Sequence, residues 1–168
     1  MNKLLRILRH CWIDESDVRR ALGPDALARI TAHIAKSERA HSGELRVCVE
    51  AALALGDLWR NATTRERAIA MFSTLRVWDT EHNNGVLIYL LFAQRCIEIV
   101  ADRGIAERVP PQTWQDISQR LGAAFGQGAH ERGLLEAVEQ VGALLTEHFP
   151  AAPTDHNPNE LPNYPEIR

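Results

Sequence analysis

The stretch Val86-Leu87-Ile88-Tyr89-Leu90-Leu91-Phe92 is continuously apolar and rich in strand-forming residues. It is far shorter than the roughly 20 residues that a membrane-spanning helix needs. A short, unbroken apolar run of this composition predicts a central β-strand covered on both faces. Gln94-Arg95 can then turn the chain, and Ile97-Glu98-Ile99-Val100 reads as a hairpin partner. With Phe92 facing Cys96 across a three-residue turn, Val86 falls opposite Asp102, and a longer turn shifts the register by a residue or two.

Working outward, Leu45, Val47 and Val49 alternate with Arg46, Cys48 and Glu50, the pattern of a half-buried strand. Helical spacing surrounds these strands. Leu27, Ile30 and Ile34 follow Pro24 until His41-Ser42-Gly43 stops the pattern. Thr63 and Glu66 form a capping box, and Ile69, Phe72 and Leu75 continue a stripe that ends near Trp78. Trp114, Ile117, Leu121 and Phe125 mark a helix after Pro110-Pro111, and Leu134, Val138, Val141 and Leu145 mark another that runs to about Phe149. Helices this numerous cover both faces of a small sheet, so the expected fold is α/β, a three-layer α/β/α sandwich over residues 24–149.

The flanks read differently. Residues 1–23 form an N-terminal helical segment, in whose first dozen residues Leu4, Leu5, Leu8 and Trp12 share a face while Lys3, Arg6, Arg9 and His10 lie largely elsewhere. Such a helix docks on the domain or on anionic lipid. Residues 150–168 hold five of the eight prolines and little that is spaced to enter a core, which predicts a proline-rich tail, disordered or strapped over the surface.

Composition narrows the function classes. At 168 residues with 45% hydrophobic content the chain is one ordinary domain with a real core. Lys and Arg total 19 against 22 Asp and Glu, and a net charge of -3 gives no reason to expect nucleic acid. Cys11, Cys48 and Cys96 are odd in number and widely spaced, which argues against a disulfide framework and a zinc site. Arg6 and Arg9 interrupt the apolar start before it can form a secretory leader, so a cytoplasmic location is expected.

Candidate chemistry collects in Asp79-Thr80-Glu81-His82-Asn83-Asn84-Gly85, just before the apolar strand. A loop at the rim of a rigid sheet presents oxygen atoms without burying them in the core. With Asp102 brought alongside by the hairpin, Asp79, Glu81, Asn83, Asn84 and Asp102 form a hard-oxygen set suited to calcium or magnesium. The equally weighted alternative is an Asx-rich turn, with Asn84-Gly85 chosen for positive φ. Asn84 stands where an EF-hand needs glycine and Leu90 where it needs the bidentate glutamate, so this is not an EF-hand. His82 is the acid–base candidate near a bound phosphate. Glu44 could reach the same sheet end, with a solvated strand residue as the favoured reading, and Cys48 and Cys96 read as small core residues.

The segments Trp78-Asp-Thr-Glu-His-Asn-Asn-Gly-Val-Leu-Ile-Tyr-Leu90 and Ile97-Glu-Ile-Val-Ala-Asp-Arg-Gly-Ile105 resemble the TPM-domain family, which includes a plant thylakoid-lumen acid phosphatase linked to photosystem II repair. The resemblance spans about Pro24 to Phe149. It implies a central mixed sheet between helices, acid phosphatase activity in some members, divalent-cation binding near this loop in others, and protein-interaction roles elsewhere. Asn84 and Gly85 match the family's loop, and Asp79 and Asp102 lie at its polar end. Asp102-Arg103-Gly104 departs from the more usual glycine-aromatic-glycine form.

Many relatives are exported and carry a membrane anchor, and this chain reads as a short bacterial cytoplasmic branch. Two functions are therefore expected. One is a protein-interaction or accessory module, with a protein partner near the membrane. The other is a metal-assisted acid phosphatase acting on a phosphate-containing ligand, with Asp79, Asp102 and His82 as its catalytic residues.

Overall fold

β2 (Val86–Leu91) is buried at every position, as its composition demands, and it lies inside a four-stranded mixed sheet. The computed structural model of the chain describes residues 10–151 and 160–168. β1 (Leu45–Glu50) runs parallel to β2, pairing Leu45 with Val86 and Glu50 with Leu91. β3 (Cys96–Ala101) returns antiparallel on the other side of β2, and β4 (Glu166–Ile167) pairs parallel with β1. The strand order is β3-β2-β1-β4.

Helices cover both faces, so the expected α/β sandwich is observed. One apolar layer joins α1 (Glu15–Leu22), α2 (Ala26–Ser37), α6 (Pro111–Gly126) and α7 (His130–His148) to Val47, Ile88, Leu90 and Ile99. The other packs α3 (Leu55–Trp59) and α4 (Thr64–Thr74) on Cys48, Leu87, Tyr89 and Leu91. A four-residue helix, α5 (Arg103–Ala106), follows β3. Among the described residues no helix is long and apolar enough to cross a membrane.

Several expectations need correction. β1 is buried on both faces, because α4 and Leu161 cover the side that carries Arg46, Cys48 and Glu50. The hairpin register differs by one residue: Leu91 faces Cys96 and Val86 faces Ala101. A 3-10 turn over Phe92–Gln94, with Arg95 in the left-handed region at φ 53°, makes the connection one residue longer. α4 stops at Thr74, and Arg76 turns the chain at φ 54°. Leu161 is buried and Glu166–Ile167 forms β4, so the end of the proline-rich segment enters the sheet. Leu4, Leu5 and Leu8 of the amphipathic N-terminal pattern lie outside the described residues, and Trp12, from the same face, is 82% exposed.

Candidate functional site

Two loops meet at the rim where β1 and β2 begin. Leaving α4, the chain makes a turn in which the Asp79 N–H donates to the Arg76 carbonyl at 2.9 Å. Thr80 then anchors the loop from inside. Its carbonyl accepts from the Asn83 N–H at 3.2 Å, and its hydroxyl oxygen accepts from the Asn84 N–H at 3.2 Å. Thr80 and Asn84 are buried while Asp79, Glu81 and His82 are exposed. Positive φ falls on Asn83 at 52°, one residue before the expected position.

From the other side, the Asp102 N–H donates to the Gly85 carbonyl at 2.8 Å, so the distal carboxylate does border the loop. The Gly104 N–H donates to the Asn83 carbonyl at 2.9 Å. A Cβ on Gly104 would come 2.5 Å from the His82 carbonyl oxygen and 2.7 Å from that of Asn83, which explains glycine in the Asp102-Arg103-Gly104 variant.

The polar atoms at this junction are incompletely paired. Asp102 Oδ1 accepts from the Arg103 N–H at 2.7 Å, and Asn84 Nδ2 donates to Ser42 Oγ at 3.4 Å. Asp102 Oδ2 and Asn84 Oδ1 are buried without a hydrogen-bond partner. A buried acceptor left unsatisfied costs about 1–3 kcal/mol. The structure thus brings Asn83, Asn84 and Asp102 together through backbone bonds and leaves Asp79, Glu81 and His82 on exposed turns. Among the described residues no group of three or more His, Cys, Asp or Glu side chains is placed to hold a metal ion.

Next to this junction lies a charged clamp that the sequence reading undervalued. Glu44 is 1% exposed and accepts the N–H groups of Glu160 and Leu161 at 3.1 and 3.2 Å. Burial pushes its carboxyl above the ordinary range, against those two backbone donors. Glu38 accepts from the Leu45 N–H at 3.1 Å and from Asn163 Nδ2 at 2.5 Å. Arg46 donates to the Pro162 and Tyr164 carbonyls. Glu44, Arg46 and Glu50 alternate along one face of β1, and that spacing beside a wholly apolar neighbour was the available signal. A strand flanking a doubly covered one is itself covered, so its charges must find partners. Cys48, on the same face, is inert, since burial pushes its thiol up to about 12.

Burial, and then the nearby Glu44 charge, pushes the Glu38 carboxyl from 4.5 up to about 8. The folded chain therefore holds this proton more tightly than the unfolded chain does. The corresponding stability is fully present below about pH 4.5 and is lost as pH rises through about 8. Between pH 7 and 8.5 the Glu38 contribution to stability is expected to fall by on the order of 1 kcal/mol. Glu38→Gln should flatten that fall in urea denaturation at both pH values. A fall of equal size in the variant would assign it to other groups.

Comparison with known proteins follows the same outline. The model of the TPM domain matches residues 16–144. The NMR structure of the BA42 protein from the psychrophilic bacterium Bizionia argentinensis is similar, with a TM-score of 0.74 and 28% identity over 86% of this chain and 93% of that one. The N-terminal domain of a protein from P. gingivalis, also an NMR structure, shares the fold at a TM-score of 0.59 and 22% identity, over 78% of this chain and 83% of that one. No curated protein matches in sequence. The family model covers most of the chain, including both loops of the junction, and the chain belongs to the TPM domain family.

Proposed function

We propose that this TPM domain is a protein-interaction or accessory module whose Asp79–Asp102 junction takes a divalent cation. The observation that carries the reading is the exposure of tryptophan. Of four tryptophans in the chain, Trp12 and Trp78 are 82% and 50% exposed. Tryptophan is usually largely buried in a free-standing domain and is enriched in the energetic centres of interfaces. Trp78 directly precedes Asp79, so a partner seated there would touch the candidate loop.

The donor chemistry at the junction fits a hard cation. Asp102 Oδ2 and Asn84 Oδ1 are buried oxygens with no protein donor, the hard donor type that calcium or magnesium takes, while Asp79 and Glu81 stand on exposed turns of the adjoining loop and would have to swing inward to join them. Trp78→Ala is expected to weaken binding of a cross-linked and identified partner about tenfold or more. Its melting temperature should stay unchanged. Equal binding by the variant would remove the interaction reading at this loop.

The two orphaned oxygens also favour a second reading, metal-assisted hydrolysis of a phosphomonoester. A bound cation would supply Lewis acidity and a more acidic water. Asp102 and Asn84 would hold it, while exposed His82 would exchange a proton with the leaving group. Hydrolysis of a chromogenic phosphate that requires calcium or magnesium and disappears in Asp79→Ala/Asp102→Ala would place this reading first. Turnover unaffected by the double substitution would exclude the site.

A further inference from the structure

We propose that the free edge of β3, with the groove beside it, is a docking site for one extended peptide segment of another protein, which adds to the sheet as a fifth strand. This surface is separate from the Asp79–Asp102 junction and does not depend on the reading given to that loop.

Among the described residues, β3 is the last strand of the sheet on its side. Its bonding alternates. The Asp102 N–H donates to Gly85, so in this antiparallel register Val100, Glu98 and Cys96 also direct their backbone groups at β2. Ile97, Ile99 and Ala101 consequently turn their N–H and C=O groups outward. An outward bond there agrees: Arg65 Nη1 donates to the Ile99 carbonyl at 2.6 Å. Only another extended backbone matches a row of donors and acceptors at that spacing.

The same three residues line a groove of about 550 Å³ between Arg65 of α4 and the Pro111–Gln119 side of α6. Its α6 side is apolar, with Ile97, Val109 and Trp114, and its α4 side carries the Arg65–Glu98 pair at 3.4 Å. Trp114 keeps its indole N–H buried without an acceptor. Once the ring tilts towards the groove, a carbonyl of an incoming strand supplies the partner that this donor lacks.

The helices decide what can enter. α6 packs on β3 on one side and α4 on the other. A second copy adding its own β3 would bring the strands to about 4.8 Å, whereas two packed helices need about 8–10 Å between axes. A second copy would therefore have to seat two further helices beside α4 and α6. A single strand without helices of its own meets no such demand and can lie in the groove between Arg65 and Trp114. Its side chains alternate, apolar towards Trp114 and polar towards Arg65.

A display library of short linear peptides, selected on the intact chain, tests the proposal. Enriched peptides are expected to alternate apolar and polar residues. Titrated into isotope-labelled protein, the best one should shift the amides of Ile97, Ile99 and Ala101 and the Trp114 indole. Ala101→Pro removes an outward N–H and leaves the β2 ladder intact, so it should weaken binding about tenfold or more. Trp114→Phe, which keeps a ring but deletes the donor, is the second variant should proline disturb the fold, and it should also weaken binding. Arg65→Ala, which frees the Ile99 carbonyl, should tighten it. The proposal is overturned by a library without enrichment, by shifts that map elsewhere, or by affinity indifferent to both weakening variants. Concentration-dependent broadening of the β3 amides in peptide-free protein, the mark of a second copy on this edge, would also overturn it.

Discussion

Gly85→Ala is expected to cost at least about 3 kcal/mol, at the upper end for overpacking, and to leave little folded protein at 37 °C. A Cβ at residue 85 would lie 1.9 Å from the carbonyl oxygen of Val77 and 3.0 Å from its carbonyl carbon. Neither neighbour is the tip of a flexible side chain. Val77 is fully buried, its N–H donates to the Phe72 carbonyl at 3.0 Å, and Gly85 itself accepts from the Asp102 N–H. Relief would require moving the end of α4 away from the start of β2, which would break the approach that sets Asn84 beside Asp102. Ser42→Ala, which removes only a 3.4 Å hydrogen bond to Asn84 at the same rim, is the matched control and should cost under about 1.5 kcal/mol. Thermal denaturation of the three proteins decides the point. A Gly85→Ala midpoint close to that of the control would show that the loop yields, and the tight contact would lose its role in fixing the junction.

The reason for this glycine marks where sequence reasoning stopped. Asn84-Gly85 looked like a positive-φ pair, yet the left-handed residue is Asn83, and Gly85 is required by lack of space. A pattern along the chain reports local conformation, whereas the Val77 carbonyl reaches Gly85 only after α4 and β2 have packed. The strands, by contrast, were legible because a continuous apolar run and a period of two are local signals, and Val86–Leu91 and Leu45–Glu50 are β2 and β1. The bordering of the loop by Asp102 was legible for the same reason: a hairpin of roughly known length ties the two positions, even with the register off by one. β4 was not legible. Glu166–Ile167 is too short to show a period, and what holds it is nonlocal, through Glu38, Glu44 and Arg46 on the far side of the chain.

Charge burial on β1 leads to the other large expected effect: Arg67→Met should destabilise the protein by about 3–5 kcal/mol, the range for stripping one partner from a buried ion pair. Glu50 is 4% exposed, and Arg67 holds it in a fork, with Nε at 3.1 and 2.8 Å from its two oxygens and Nη2 at 2.6 Å. The fully buried Tyr89 hydroxyl donates to the same carboxylate at 2.5 Å. Its phenol is pushed well above the ordinary range, by burial first and then by that bond. Methionine keeps the aliphatic stem of Arg67 and deletes the charge, which leaves the Glu50 carboxyl with a single hydroxyl donor in an apolar layer.

Adding Glu50→Gln removes the stranded charge and keeps an acceptor for Tyr89, so the double variant should recover more than half of the loss. Lysine at 67 restores charge but not the fork, and should fall between the two. Urea denaturation of the set gives the coupling directly. A loss below about 1 kcal/mol for Arg67→Met would mean that water reaches Glu50 and that the pair behaves as a surface ion pair. Because β1 and β2 run parallel from the rim at Asn84 towards Glu50, the network lies about 17 Å, the rise of a six-residue strand, from the candidate junction. Where the junction takes a cation as proposed, its affinity per folded molecule should therefore be unchanged in Arg67→Met, and a parallel loss of both would join the two ends of the sheet into one functional unit.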